Sequence, residues 1–169
     1  MADVSESKLY DFNEGIPDFQ DALVVLVKTE WNAAVVDALE EGAIRVLRRN
    51  GLRTETLLVP GAVEIPFAIQ HYWNSVKKKD RPAAFIALGC VVRGDTPHFE
   101  YVCQAVTQGV TGLNLELPVP TIFGVLTVNN QEQADERIGG RHGHKGEEAG
   151  ITALKMIHLS RRLKKRNEG

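Results

Sequence analysis

The sequence predicts an α/β fold, a parallel sheet with helices packed on both faces. Three observations carry this reading. Ala22–Val27 (ALVVLV), Ala83–Val91 (AAFIALGCV) and Thr121–Val128 (TIFGVLTV) are short, near-continuous apolar runs rich in branched residues, as strands buried on both faces require. Between such runs lie longer stretches whose apolar residues recur at helical spacing. Strands alternating with helices in this way give parallel pairing and right-handed crossovers.

The elements follow in order. Residues 1–20 are polar and acidic and contain Gly15 and Pro17, so they read as an arm outside the core. A single domain is expected over residues 21–169. Ala22–Val27 is the first strand. Asn32–Asn50 then carries Val35, Val36, Leu39, Ala43, Val46 and Leu47 on one helical stripe, with Gly51 as the stop. Arg53–Val59 is a second, partly alternating strand, punctuated by Pro60-Gly61. The next helix must start near Val63, because Pro66 is tolerated only in a first turn. Its stripe is Ile65, Ile69, Tyr72, Trp73 and Val76, and Lys77–Lys79 close it. After the third strand, Thr96 is placed to cap a helix with Pro97 at its first position. That helix runs through Val102, Ala105, Val106, Val110 and Leu113. Thr121–Val128 is the fourth strand, followed by a short helix around Glu132–Arg137, a Gly-rich connection, and a last helix from about Lys145 to Arg166.

Composition narrows the function. The chain has 169 residues, 43% hydrophobic and 25% charged, with a formal net charge of -2. No basic excess points to nucleic acid. No apolar stretch approaches the length that crosses a bilayer, and the N-terminus lacks the pattern of a secretory signal. The two cysteines, Cys90 and Cys103, are expected in a buried strand and on a helix. They form no disulfide framework, which fits a reducing cytoplasm. The basic run Arg161–Arg166 has two readings: a solvated helix end offsetting the dipole, or a contact for an anionic partner.

Every chemically suggestive group follows a strand, where ligands bind in open α/β sheets. In Gly94–His98, backbone N–H groups near Asp95 and Thr96 precede a helix and form an anion site. The Thr96 hydroxyl caps the helix or reaches a phosphate. His98 sits in the first turn, and histidine as a residue type titrates near neutrality, which suits proton transfer. Glu64 follows a Pro-Gly turn. It either holds a polyol or amine, or simply offsets the helix dipole. Trp31 either stacks on a planar ring or rims the core. Phe123 lies inside a strand, so core packing is its default. Arg137–Glu148 is dense in charge and glycine. Arg137 and Lys145 suit a phosphate, unless the segment is a mobile surface loop. His142 and His144 lie two apart with no obvious third ligand, so no metal site is expected.

Taken together, the WN pair at Trp31-Asn32, PGAVEIP at Pro60–Pro66, GCVVRGDTPHFEYV at Gly89–Val102, PTIFGVLTVNNQEQADER at Pro120–Arg137 and the KG pair at Lys145-Gly146 resemble the lumazine synthase family from about residue 21 onward. The resemblance implies a three-layer α/β/α, flavodoxin-like fold with a four-stranded sheet in the order 2-1-3-4. It implies condensation of 5-amino-6-(D-ribitylamino)uracil with 3,4-dihydroxy-2-butanone 4-phosphate to 6,7-dimethyl-8-ribityllumazine, phosphate and water, with no cofactor and no metal. It further implies that Trp31, in place of the family's more usual phenylalanine, stacks on the pyrimidine. Ala62, Val63 and Glu64 would hold the ribityl chain, and Cys90, Val91 and Val92 would line the pyrimidine pocket. Asp95 and Thr96 would contact the phosphate, and His98 would move protons. Phe123 would belong to the pyrimidine pocket and Arg137 would bind the phosphate, both from a neighbouring subunit, with Lys145 and Glu148 as a charged pair nearby. His144 stands where the family usually has asparagine. The implied partners are small-molecule substrates, further copies of the chain as a pentamer or a sixty-subunit shell, and riboflavin synthase, with neither nucleic acid nor membrane. A non-catalytic flavin-binding or shell-forming protein on the same fold is the alternative. Retention of Thr96, His98 and Arg137 argues against it. A monomeric flavin carrier would need a phosphate loop after the first strand, where Lys28-Thr29-Glu30-Trp31 is a poor cradle.

Overall fold

A computed structural model describes residues 8–10, 19 and 22–167. Most of the expected N-terminal arm lies outside the described residues. The elements are β1 (Leu23–Thr29), α1 (Ala33–Arg49), β2 (Arg53–Val59), α2 (Ile65–Ser75), β3 (Ala84–Val92), α3 (His98–Glu116), β4 (Thr121–Val128), α4 (Gln131–Asp135), β5 (Ile138–Gly140), β6 (Gly143–His144) and α5 (Lys145–Asn167). The main sheet has the order β2-β1-β3-β4, and all of its pairings are parallel. Both the α/β class and the strand order match the sequence reading.

Strand parity builds the layers. Val24 and Leu26 of β1 and Ile86, Leu88 and Cys90 of β3 face a cluster with Val36, Leu39 and Leu47 of α1 and Leu154 of α5. Val25 and Val27 of β1 and Phe85 and Ala87 of β3 face the other cluster, with Ile65 and Ile69 of α2 and Val106 and Val110 of α3. Alternate residues of one strand therefore enter opposite cores, which is why these strands read as continuous apolar runs. Pro66 sits in the first turn of α2 as its missing N–H requires.

Three local expectations change. Phe19, within the stretch assigned to the arm, is buried against the α1/α5 core. The Thr96 hydroxyl does not cap α3: Pro97 occupies the cap position, helical backbone begins at His98, and no side chain caps it. The Gly-rich connection is an antiparallel hairpin of β5 and β6, turned by Gly139 (φ 117°) and Gly143 (φ 77°), conformations that glycine adopts readily.

Candidate active site

The carboxyl ends of β1, β2 and β3 open onto a cavity of about 530 Å³. Trp31, Ala62, Val63, Glu64, Cys90, Val91, Val92 and His98 all line it. Its geometry starts at the end of β1. Asn32 adopts a left-handed backbone conformation (φ 57°), which asparagine tolerates better than most residues. This turns its side chain towards β3, where Nδ2 donates to the Cys90 carbonyl at 2.7 Å. Asn32 thus fixes the backbone of the cavity floor. In the sequence this residue is only the second half of the WN pair; the signal for its role is an asparagine between a strand and a helix. Trp31 is 73% exposed, so it rims the cavity and leaves its ring free for a planar ligand. The turn at Gly61 brings the Glu64 carboxylate and the Trp31 ring close together over it. Burial, with the Asp135 charge adding to it, pushes the Cys90 thiol up to about 11. Cys90 therefore stays a neutral wall of the pocket at ordinary pH rather than a nucleophile.

His98 is the first residue of α3 and is held by its neighbours. The Arg93 backbone N–H donates to the Val128 carbonyl at 2.8 Å. Its Nε donates to Asn129 Oδ1 at 3.1 Å, its Nη1 pairs with Glu100, and its guanidinium lies 4.2 Å from the centroid of the Phe99 ring. Arg93 thereby ties the first turn of α3 to the ends of β3 and β4. The hydrogen bond from Arg93 lowers the pKa of the Glu100 carboxyl. Asp95 and Thr96 sit on the exposed bend ahead of the helix and line neither this cavity nor the second one.

The second cavity, about 630 Å³, runs between the free edge of β4 and α5. It collects Phe123, Arg137, Lys145 and Glu148, none of which lines the first. Phe123 is 42% exposed and not a core residue, because β4 is an edge strand. The hairpin places Arg137 beside Lys145: the Lys145 N–H donates to the Arg137 carbonyl at 2.8 Å. Lys145 Nζ contacts both Glu148 carboxylate oxygens, at 2.8 and 2.9 Å. Arg137 Nη1 donates to the Gln133 carbonyl at 2.6 Å. Its Nε is buried without a partner among the described residues. Arg137 itself is half-buried and lines the cavity, and a guanidinium in such a wall suits an anion.

The histidines of the hairpin do not converge. His142 Nε2 lies 3.4 Å from Glu136, whereas His144 Nδ1 accepts from the Glu147 N–H at 3.4 Å. His144 so stands at the head of α5 and performs the capping task that asparagine does elsewhere. Among the described residues, no three His, Cys, Asp or Glu side chains group as a metal ligand set. No helix among them is long and apolar enough to cross a membrane.

Comparison with known proteins shows the family of the chain. Residues 21–161 match the family model described as 6,7-dimethyl-8-ribityllumazine synthase. A protein of that description from Parabacteroides distasonis is 46% identical over 154 residues, 89% of this chain and 93% of the relative. One from Porphyromonas gingivalis is 45% identical over 155 residues, 90% of this chain and 93% of the relative. The chain belongs to the 6,7-dimethyl-8-ribityllumazine synthase family. A third relative, from Phocaeicola vulgatus, is 43% identical over 159 residues, 92% of each chain. The span matching the lumazine synthase family takes in every residue of the two cavities except Leu9.

Proposed function

We propose that this chain condenses 5-amino-6-(D-ribitylamino)uracil with 3,4-dihydroxy-2-butanone 4-phosphate to 6,7-dimethyl-8-ribityllumazine, releasing phosphate and water, in riboflavin biosynthesis. The observation that carries the reading is the partition of the site residues. One cavity offers an aromatic face, a carboxylate and a histidine, and the other offers an arginine with an unspent donor.

The pyrimidine stacks on Trp31, bounded by Cys90, Val91 and Val92, whose backbone Asn32 holds. The ribityl hydroxyls donate to Glu64 near Ala62 and Val63. The amine of the first substrate attacks the ketone of the second, and loss of water gives the imine. His98 accepts and returns protons as the imine forms, phosphate departs and the ring closes. Arg137 holds the phosphate, with Asp95 and Thr96 on the helix side. Positioning and proton transfer are the main tasks left to the protein.

His98→Ala is expected to lower kcat roughly tenfold to thirtyfold, below the usual range for general acid–base groups. The effect is modest because most of the acceleration comes from holding the two substrates together, which the variant keeps, and because small acids and bases can stand in for the imidazole. Small buffer amines should restore part of the lost rate. Turnover equal to wild type, followed by lumazine absorbance with both substrates saturating, would remove His98 from the chemistry.

The two half-sites lie on one chain yet share no lining residue. We place the complete site between neighbouring copies, with Phe123, Arg137 and Lys145 of one facing Trp31, Glu64 and His98 of the next. Light scattering should then give about five times the 18.7 kDa protomer mass, or sixty times for a closed shell, as expected of closed symmetric assemblies. A fully active monomer would refute the shared site. The assignment extends to a cytoplasmic enzyme of a single domain, into whose core Phe19 is drawn, and which hands its product to riboflavin synthase.

A further inference from the structure

The amino ends of β3 and β4, away from the His98 cavity, border a third cavity of about 310 Å³. Its walls are of two kinds. Trp73, Pro82, Pro118 and Ile157 form an apolar floor, while Lys78, Arg81, Arg161 and Lys164 supply four cationic groups. No acidic side chain among the described residues lines it, although the whole chain has a formal net charge of -2. Cations in the last turns of a helix offset its dipole, and Arg161 and Lys164 of α5 alone would mean no more than that. Lys78 and Arg81 come from a separate segment, between α2 and β3, and border the same space. Two of the four are anchored: the Arg81 guanidinium sits 4.3 Å from the centroid of the Trp73 ring, and that of Arg161 lies 5.8 Å from the Phe19 ring centroid. A guanidinium stacked as that of Arg81 is pre-organised and keeps in-plane donors available for phosphate oxygens.

We propose that this cavity binds a small organic phosphate with at least two phosphoryl charges. Its charged end meets Lys78, Arg81 and Lys164, and its uncharged body rests on the apolar floor. No residue of this cavity lines either half of the condensation site. The ligand therefore binds in addition to the phosphate substrate. It also gives the basic C-terminal run a role beyond solvation.

The test is calorimetric titration of the full-length assembled protein with inorganic pyrophosphate and, separately, ADP. Wild type is expected to bind both saturably with a dissociation constant below about 1 mM, ADP the more tightly because it adds an uncharged body. Raising ionic strength from about 0.05 to about 0.5 M should weaken binding. Neutralising K78Q/K164Q, which leaves the Arg81–Trp73 stack in place, should weaken both ligands at least about tenfold and keep condensation activity at the wild-type level. Arg137→Ala should leave this binding unchanged. No saturable binding to wild type, or equal binding to K78Q/K164Q, overturns the proposal. Loss of binding in Arg137→Ala with retention in K78Q/K164Q also overturns it and assigns the anion to the condensation site. Pyrophosphate binding equal to that of ADP overturns the organic part of the assignment.

Discussion

Arg137→Ala is expected to raise the KM for the phosphate-bearing substrate about a hundredfold, close to 2.8 kcal/mol. The KM for the ribitylaminouracil should change little. The size follows from what the guanidinium does in the chain. Its Nη1 is already committed to the Gln133 carbonyl, which fixes its direction, while Nε is buried with no partner among the described residues. Hydrogen bonds to charged groups contribute about 1.5–3 kcal/mol each, and the loss of a two-pronged contact falls at the upper part of that range. Arg137→Lys should recover only part of the affinity, because an ammonium keeps the charge and loses the fork. Steady-state kinetics with each substrate varied in turn make the measurement. A KM for the phosphate substrate within about twofold of wild type would show that Arg137 does not hold the phosphate.

The half of the site around His98 was more legible in the sequence than the half around Arg137, and the reason is topological. Trp31, Cys90 and His98 each stand near the end of a strand whose apolar run marks it clearly, Glu64 follows the Pro60-Gly61 punctuation of β2, and the α/β rule places strand ends together. Phe123 read as a core residue because a branched, apolar run looks alike in a central and an edge strand. Only the order β2-β1-β3-β4 leaves β4 at the edge and Phe123 exposed. The β5–β6 hairpin left almost no periodic signal. Its strands have three and two residues, and the bond from Lys145 N–H to the Arg137 carbonyl spans a stretch that reads as loop. Thr96 misled for a different reason: a capping residue type was present, but Pro97 took the cap position and helical backbone started one residue on. Asn32 and Arg93 were missed as positioning residues because their partners, Cys90 and Asn129, are distant in sequence.

Gly146→Ala should be the most damaging glycine-to-alanine change among the described residues, lowering stability by about 3 kcal/mol or more through overpacking. Gly146 is the second residue of α5 and faces α1 at van der Waals closeness. A Cβ there would lie 2.0 Å from the Leu39 carbonyl oxygen and 2.8 Å from its Cα. Those atoms belong to a helix backbone and cannot swing aside as a side-chain tip would. The start of α5 must then lift from α1. Four residues on, Gly150 already packs tightly, since a Cβ there would meet Ala43 O at 3.1 Å, so the helix cannot slide to relieve the clash. Lifting the first turn also displaces Lys145 and Glu148 from the Arg137 cavity, so affinity for the phosphate substrate should fall together with stability. For a chain of this length the loss corresponds to roughly 6–12 °C in Tm. Gly146→Ser should lose at least as much, because the obstruction is at Cβ and extra atoms only add to it. A Tm for Gly146→Ala within about one degree of wild type would mean that α1 and α5 are not packed this closely in solution.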